Sequence, residues 1–345
     1  MKTVYIIGAG FSRYANLPLM SDFLFKSKDI YFKLQSENDK KSFERVFSYF
    51  DEYSKVKNIM NADFLNIEEL LSIIEMDSYL TNKKGIYKDY INYLEKVIDL
   101  SSPSIINNDG VYLIDETKNT EVYTQFLMKA FGIINYTDTN KAIRYYDRDQ
   151  QNDNGIISLN YDLLLEKSLK RLNDYNINEF GPAYLSFDFD YGMDDKFIKR
   201  FLTATPRYQK MELAKIHGSI NFRVNDSPLI IPPTWNKTSD KRMKSVWKHA
   251  FNLLSSANKI IFIGYSLAET DLYVKYLLIS GLKQSYNLNE IEVVCKDDDE
   301  KNVQHRYEKF FDENFRKKAF NFHSTEFETW MGYKPPQKRT IGKQW

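Results

Sequence analysis

The chain has 345 residues but a single cysteine, Cys295. One thiol excludes both an internal disulfide and a four-thiolate zinc site. The four histidines, His217, His249, His305 and His323, show no ligand-like spacing, so the sequence gives a metal centre little support. An excess of charge is missing too: 48 basic against 47 acidic side chains leave a formal net charge of +1. That balance excludes a broad basic footprint for nucleic acid or anionic lipid, although not a local patch. No apolar run reaches membrane-spanning length, and the first one is too short for a secretory core. The expectation is a cytoplasmic protein with no membrane partner and no direct nucleic-acid partner. Internal repeats and low-complexity tracts are absent as well.

What is present suffices for a substantial core, with 43% hydrophobic and 15% aromatic residues. Four short apolar runs stand out, at residues 4–7, 156–159, 260–263 and 291–295. They are nearly continuous rather than alternating, as expected of strands whose parallel sheet is covered by helices on both faces. Helical periodicity marks YDLLLEKSLKRL after the second run, KRMKSVWKHAFNLLSSA before the third and ETDLYVKYLL after it. In the middle segment Met243, Val246, Trp247, Ala250, Phe251 and Leu254 recur at three- and four-residue steps. This alternation predicts an α/β fold with a doubly wound, mostly parallel, Rossmann-like sheet. Residues from about 23 to 150 break it with helical stretches such as NIEELLSIIEMDSYL, where Asn66 and Glu69 are spaced as a capping pair. The organisation expected is a single domain over 1–333, with a helical insertion at about 23–150, and a C-terminal tail over 334–345.

Four segments carry chemistry. In VYIIGAGFS (residues 4–12), Gly8 and Gly10 allow a sharp turn and a close approach to a ligand, and a following helix would face a phosphate with its free amides. A plain strand-to-helix turn is the alternative. The dinucleotide fingerprint wants a third glycine where Arg13 stands and a later acidic residue, and neither is present. No Gly-Lys-Thr or Gly-Lys-Ser signals a phosphate-loop NTPase. In SLNYD (158–162), Asn160 and Asp162 at a strand's carboxyl end point into the same crevice or cap a helix starting at Tyr161. In KIHGS (215–219), His217 is a loop general base or a structural histidine. FIGYS (262–266) is a further glycine turn bearing a hydroxyl.

In this order and spacing, GAGFSRYANLPL, SLNYD, KIHGS, FIGYSLAETD and IEVVC resemble the sirtuin superfamily over residues 1 to about 310, with the insertion contributing almost nothing. The resemblance implies that Gly8, Ala9, Gly10 and Ser12 fold over the diphosphate and nicotinamide ribose of NAD+. It places Asn160 and Asp162 at the nicotinamide, makes His217 the catalytic base, and puts Gly264, Tyr265 and Ser266 under the dinucleotide. NAD+ is then a substrate and no resident cofactor is implied. The chain departs from the protein deacylases of this family: the zinc module of two cysteine pairs is absent, and Pro18 is followed by Leu19 and Met20, with Asp22 displaced from a Pro-Asp-Phe-Arg run. IIPPTWNK (230–237), GYSLAETD and RYEKFF (306–311) are similar to a bacterial sirtuin-like branch whose members hydrolyse NAD+ in phage defence. That branch implies an NAD+ glycohydrolase, a homo-oligomer and a separately encoded regulator such as a HerA-type ATPase. A non-catalytic nucleotide sensor and an ADP-ribosyltransferase or deacylase are the alternatives.

Overall fold

The computed structural model describes residues 1–57, 67–81, 85–108, 111–114, 120–138, 141–146, 153–180, 186–200, 208–231, 240–269, 271–297 and 300–333. The first strand, β1 (Thr3–Ile7), passes through a one-turn helix, α1 (Ala9–Ser12). Four helices follow, α2 (Phe23–Tyr31), α3 (Glu37–Lys57), α4 (Ile67–Thr81) and α5 (Gly85–Ser101). A hairpin of β2 (Ile105–Asn108) and β3 (Val111–Ile114), helix α6 (Glu121–Ala130) and a second hairpin of β4 (Ile133–Asp138) and β5 (Lys141–Tyr146) complete the first part. The chain continues as β6 (Gly155–Ser158), α7 (Leu164–Phe180), β7 (Ser186–Asp190), β8 (Tyr208–Lys215), β9 (Gly218–Val224) and β10 (Ser227–Ile230). It ends in α8 (Lys241–Ser256), β11 (Lys259–Ile263), α9 (Leu272–Leu282), β12 (Glu290–Val294), α10 (Asn302–Phe310), α11 (Glu313–Ala319), β13 (Phe320–His323) and α12 (Phe327–Trp330).

Seven strands form the central sheet in the order β13-β12-β11-β1-β6-β8-β7, with every neighbouring pair parallel. β1 is central: the chain first builds outward through β6, β7 and β8, then crosses back to β11 and builds through β12 and β13. The reversal therefore falls between β1 and β11, and a crevice at the carboxyl ends of such strands is where open α/β sheets bind ligands. The apolar runs at 4–7, 156–159, 260–263 and 291–295 coincide with β1, β6, β11 and β12 to within one residue at each end. Their side chains are almost entirely buried, as covering a parallel sheet on both faces requires.

The insertion is more than a helical block. It also holds the two hairpins, and its α6 sits against the core. Phe126 of α6 meets Tyr5 of β1 edge to face at 5.1 Å. Helices α3 and α5 pack through Phe43 and Tyr93, whose rings lie 4.8 Å apart. Outside that contact, Arg45 bonds Asp89 at 2.6 Å and Lys96 bonds Asp39 at 3.0 Å. Arg223 of β9 pairs with Glu95 of α5, which joins the insertion to the second half. Asn66 of the expected capping pair, most of IIPPTWNK and the tail at 334–345 lie outside the described residues. Among the described residues no helix is long and apolar enough to cross a membrane.

Candidate active site

The glycine turns after β1 and β11 meet backbone to backbone. Gly8 donates its amide to the Ile263 carbonyl at 3.0 Å, Gly10 donates to Gly264 at 2.9 Å, and Phe11 donates to Gly8 at 3.0 Å. A β-carbon on Gly8 would come within 2.7 Å of the Gly264 oxygen, and one on Gly10 within 2.8 Å of the Gly264 α-carbon. Glycine is thus demanded first by the contact between the two loops. The amides of Gly8, Gly10 and Phe11 are committed to protein carbonyls, and α1 has only four residues. Ala9 and Ser12 line the cleft beside them.

Beyond β6 the chain leaves the sheet ladder and crosses in front of this turn. Asn160, buried, donates through Nδ2 to the Gly8 carbonyl at 2.9 Å and to Ser12 Oγ at 3.0 Å. Ser12 Oγ in turn donates to Asp162 Oδ2 at 2.8 Å. The other Asp162 oxygen accepts the Leu164 amide at 2.9 Å. The helix therefore begins at Leu164, not at Tyr161, with Asp162 at its entrance. Asp162 serves both the helix start and the crevice, whereas Asn160 faces the glycine loop and makes no cap.

His217 occupies the turn between β8 and β9 and is 2% exposed. Its backbone is clamped from three sides. Ile216 donates to Ser158 at 3.1 Å, the Trp247 indole donates to the Ile216 carbonyl at 2.9 Å, and Ile231 donates to the His217 carbonyl at 2.8 Å. The next residue, Gly218, has φ +83°, and a β-carbon there would lie 2.1 Å from the Leu229 oxygen. The Tyr161 ring stands 6.1 Å from the imidazole. Gly8, Gly10, Ser12, Asn160, Asp162 and His217 all line one cleft of about 510 Å³, a volume typical of small-molecule sites.

Residues 154–320 match the family described as a SIR2-like domain. Over that span the chain is similar to the SIR2-like family. Two solved structures share low similarity with it. One is Sir2Tm bound to a propionylated peptide, 10% identical, with 96% of this chain and 90% of that one covered and a TM-score of 0.39. The other, from work on the structural basis of sirtuin substrate affinity, is 11% identical, covers 96% of this chain and 92% of that one, and has a TM-score of 0.37. No curated protein matches the chain.

The SIR2-like match includes Asn160, Asp162, His217, Gly264, Tyr265 and Ser266, while the Gly8 loop and the insertion precede it. The second glycine loop is held from behind by α10. Tyr307 donates to the Tyr265 carbonyl at 2.8 Å and Arg306 to the Ser266 carbonyl at 2.8 Å. The Tyr265 hydroxyl donates to Asp271 at 3.0 Å, closing the loop onto the start of α9. RYEKFF thus supports the loop, and Ser266 lines the cleft.

Further residues that the sequence reading gave no site role also line the cleft. Arg13 follows the first loop, and Lys296 stands beyond β12, where it donates to Glu326 at 3.0 Å. That bond holds the Glu326 carboxyl below the usual range, whereas burial raises the carboxyl of neighbouring Glu328. Cys295 also lines the cleft, but burial pushes its thiol up to about 11, which suppresses the thiolate at neutral pH. Leu71, Leu94 and Ile98 of the insertion form an apolar wall. Among the described residues no group of three or more His, Cys, Asp or Glu side chains is arranged to hold a metal ion.

Proposed function

We propose that this chain is an NAD+ hydrolase. The observation that carries the reading is the convergence of Ser12, Asn160, Asp162 and buried His217 in one cleft at the sheet's reversal point. Similarity of residues 154–320 to the SIR2-like family supports NAD-dependent chemistry. The cleft suits an elongated nucleotide with an anionic diphosphate: Arg13 and Lys296 border it, Lys296 already bonded to Glu326, and both can meet the diphosphate where the glycine amides are engaged.

In this reading the bond from ribose C1′ to the nicotinamide nitrogen breaks. Nicotinamide leaves as a neutral molecule with the bonding pair, and the positive charge passes to the ribose carbon. A water oxygen then bonds to C1′ and loses one proton, which His217 accepts, giving ADP-ribose. Asp162 places negative charge at the nicotinamide end, where the developing cation needs it. Asn160 has both Nδ2 bonds on Gly8 and Ser12, so the group it offers a ribose hydroxyl or the water is its amide oxygen. Holding the water within this constellation is a second source of rate.

Chromatography of NAD+ incubated with the purified protein tests the reading. Nicotinamide and ADP-ribose should appear in equal amounts, and His217→Ala should release them about 10² to 10⁴ times more slowly, the usual value of a positioned base. Undiminished release by His217→Ala removes that residue from the chemistry. Saturable NAD+ binding without release makes the protein a sensor, and ADP-ribose mass on a protein acceptor makes it a transferase. A defence role, self-association and an ATPase trigger belong to the same proposal. Release that is indifferent to protein concentration and to any such partner counts against them.

A further inference from the structure

Lys215, the last residue of β8, is 1% exposed, and the proposed chemistry gives it no role. Burying a lysine is costly unless its charge is paired and its protons are placed. Its ammonium pairs with Glu166 of α7 at 3.0 Å and also donates to the backbone carbonyl of Asp162. Glu166 in turn accepts the Tyr191 hydroxyl at 3.3 Å. An apolar pair of similar volume would fill the same space at no greater cost to the fold. What it would lack is a donor aimed at residue 162.

That donor stands where the sheet has stopped holding the chain. The ladder between β6 and β8 ends at Ser158 and Lys215, and the Leu159 amide makes the last strand-like bond, to Ile7 at 3.0 Å. After it, the backbone towards α7 is fixed one residue at a time. The Asn160 amide donates to Ser158 Oγ at 3.1 Å. The Tyr161 carbonyl accepts from the Ile220 amide at 3.1 Å and from Ser219 Oγ at 3.2 Å. The Asp162 carbonyl accepts from Lys215, and the Leu163 carbonyl, just before the helix, accepts the Lys167 amide at 2.8 Å. Lys215 therefore anchors the residue whose carboxylate reaches Ser12, and two residues later the same chain presents His217.

We propose that Lys215 is a positioning residue: it fixes the backbone at Asp162 so that the carboxylate stays on Ser12, at a set place relative to His217. Its effect on turnover rests on the NAD-cleavage reading above. The test uses the full chain carrying Lys215→Met with Glu166→Gln, which removes both charges while leaving Tyr191 an acceptor. The double variant should fold and melt cooperatively, and its crystal structure should show the sheet unchanged but the Asp162 to Ser12 bond opened. Its kcat should fall about tenfold or more with KM within about threefold, because a shift near 1 Å in a catalytic geometry is felt mainly in the chemical step. Glu166→Gln alone keeps the lysine's bond to the carbonyl and should keep kcat within about threefold of the parent.

Asp162 still seated on Ser12 in the double variant would overturn the proposal. So would a tenfold loss of kcat in a Glu166→Gln variant that melts like the parent and keeps Asp162 on Ser12, whether or not the double variant folds. A parent protein that releases no nicotinamide refutes the NAD-cleavage reading instead, and the position of Asp162 in the two crystal structures still decides this one.

Discussion

A β-carbon on Gly264 would lie 2.1 Å from the Phe11 amide nitrogen, at a φ of +62° that side-chain-bearing residues rarely adopt. Gly332 has a similar φ, +67°, yet nothing stands within 4 Å of the same position. The pair separates the cost of the conformation from the cost of the contact. Gly332→Ala should lower the unfolding free energy by about 1 kcal/mol, the left-handed penalty alone. Gly264→Ala should lower it by more than about 3 kcal/mol, because backbone atoms cannot yield as side chains do. Urea unfolding with an unchanged m-value measures both, and equal losses would mean that the contact between the loops does not set the need for glycine. The glycines at 8, 10 and 264 were legible in the sequence as turns, but the partner that requires them was not, because each loop's neighbour is remote in the chain. Lys296 was invisible for a different reason: an isolated cation has no spacing to read, and Arg13 was read only as a missing glycine.

Strands were legible where burial leaves a simple trace. β1, β6, β11 and β12 are covered on both faces, so their sequences are continuous apolar runs. β8 is equally interior but reads YQKMELAK, because Glu212 pairs with Lys2 at 3.2 Å and Lys215 pairs with Glu166. The edge strands β7 and β13 alternate as SFDFD and FNFH, a weaker signal over so few residues. The insertion was legible as helical, but not that its α6 braces the glycine loop. Tyr123 is fully buried; its hydroxyl donates to the Phe11 carbonyl at 2.9 Å and accepts the Ala15 amide at 3.1 Å. Its ring meets Phe11 at 5.1 Å. Tyr123→Phe keeps the ring and strands two buried backbone groups, which should cost about 1–3 kcal/mol in denaturant unfolding. On the NAD-cleavage reading the loosened loop should also raise KM for NAD+ more than it lowers kcat. A KM and a stability both equal to the parent's would show that the loop holds its shape without this brace.

At the scale of the whole molecule, one carboxylate links the sheet's far edge to the floor of the cleft. Glu292 of β12 pairs with Lys259 of β11 at 2.9 Å, accepts the Trp330 indole of α12 at 2.9 Å and meets His323 of β13 at 3.2 Å. The same short α12 inserts Phe327 against Phe11, with ring centres 4.5 Å apart. Burial alone would raise the Glu292 carboxyl, but the bonds from Lys259 and Trp330 overcome it and hold the group below the usual range. A carboxyl depressed on folding contributes stability above its unfolded value, about 4.3, and that contribution fades as pH falls through the lower folded value. The neighbouring His323 adds to the depression instead of opposing it. Glu292→Gln should therefore be less stable than the parent at neutral pH, and the gap should narrow as pH falls below about 4. Thermal melts from pH 7 to pH 3 measure this difference directly. A gap that stays constant over the range would assign the acid sensitivity to other carboxyls and leave Glu292 as a neutral spacer between β12 and α12.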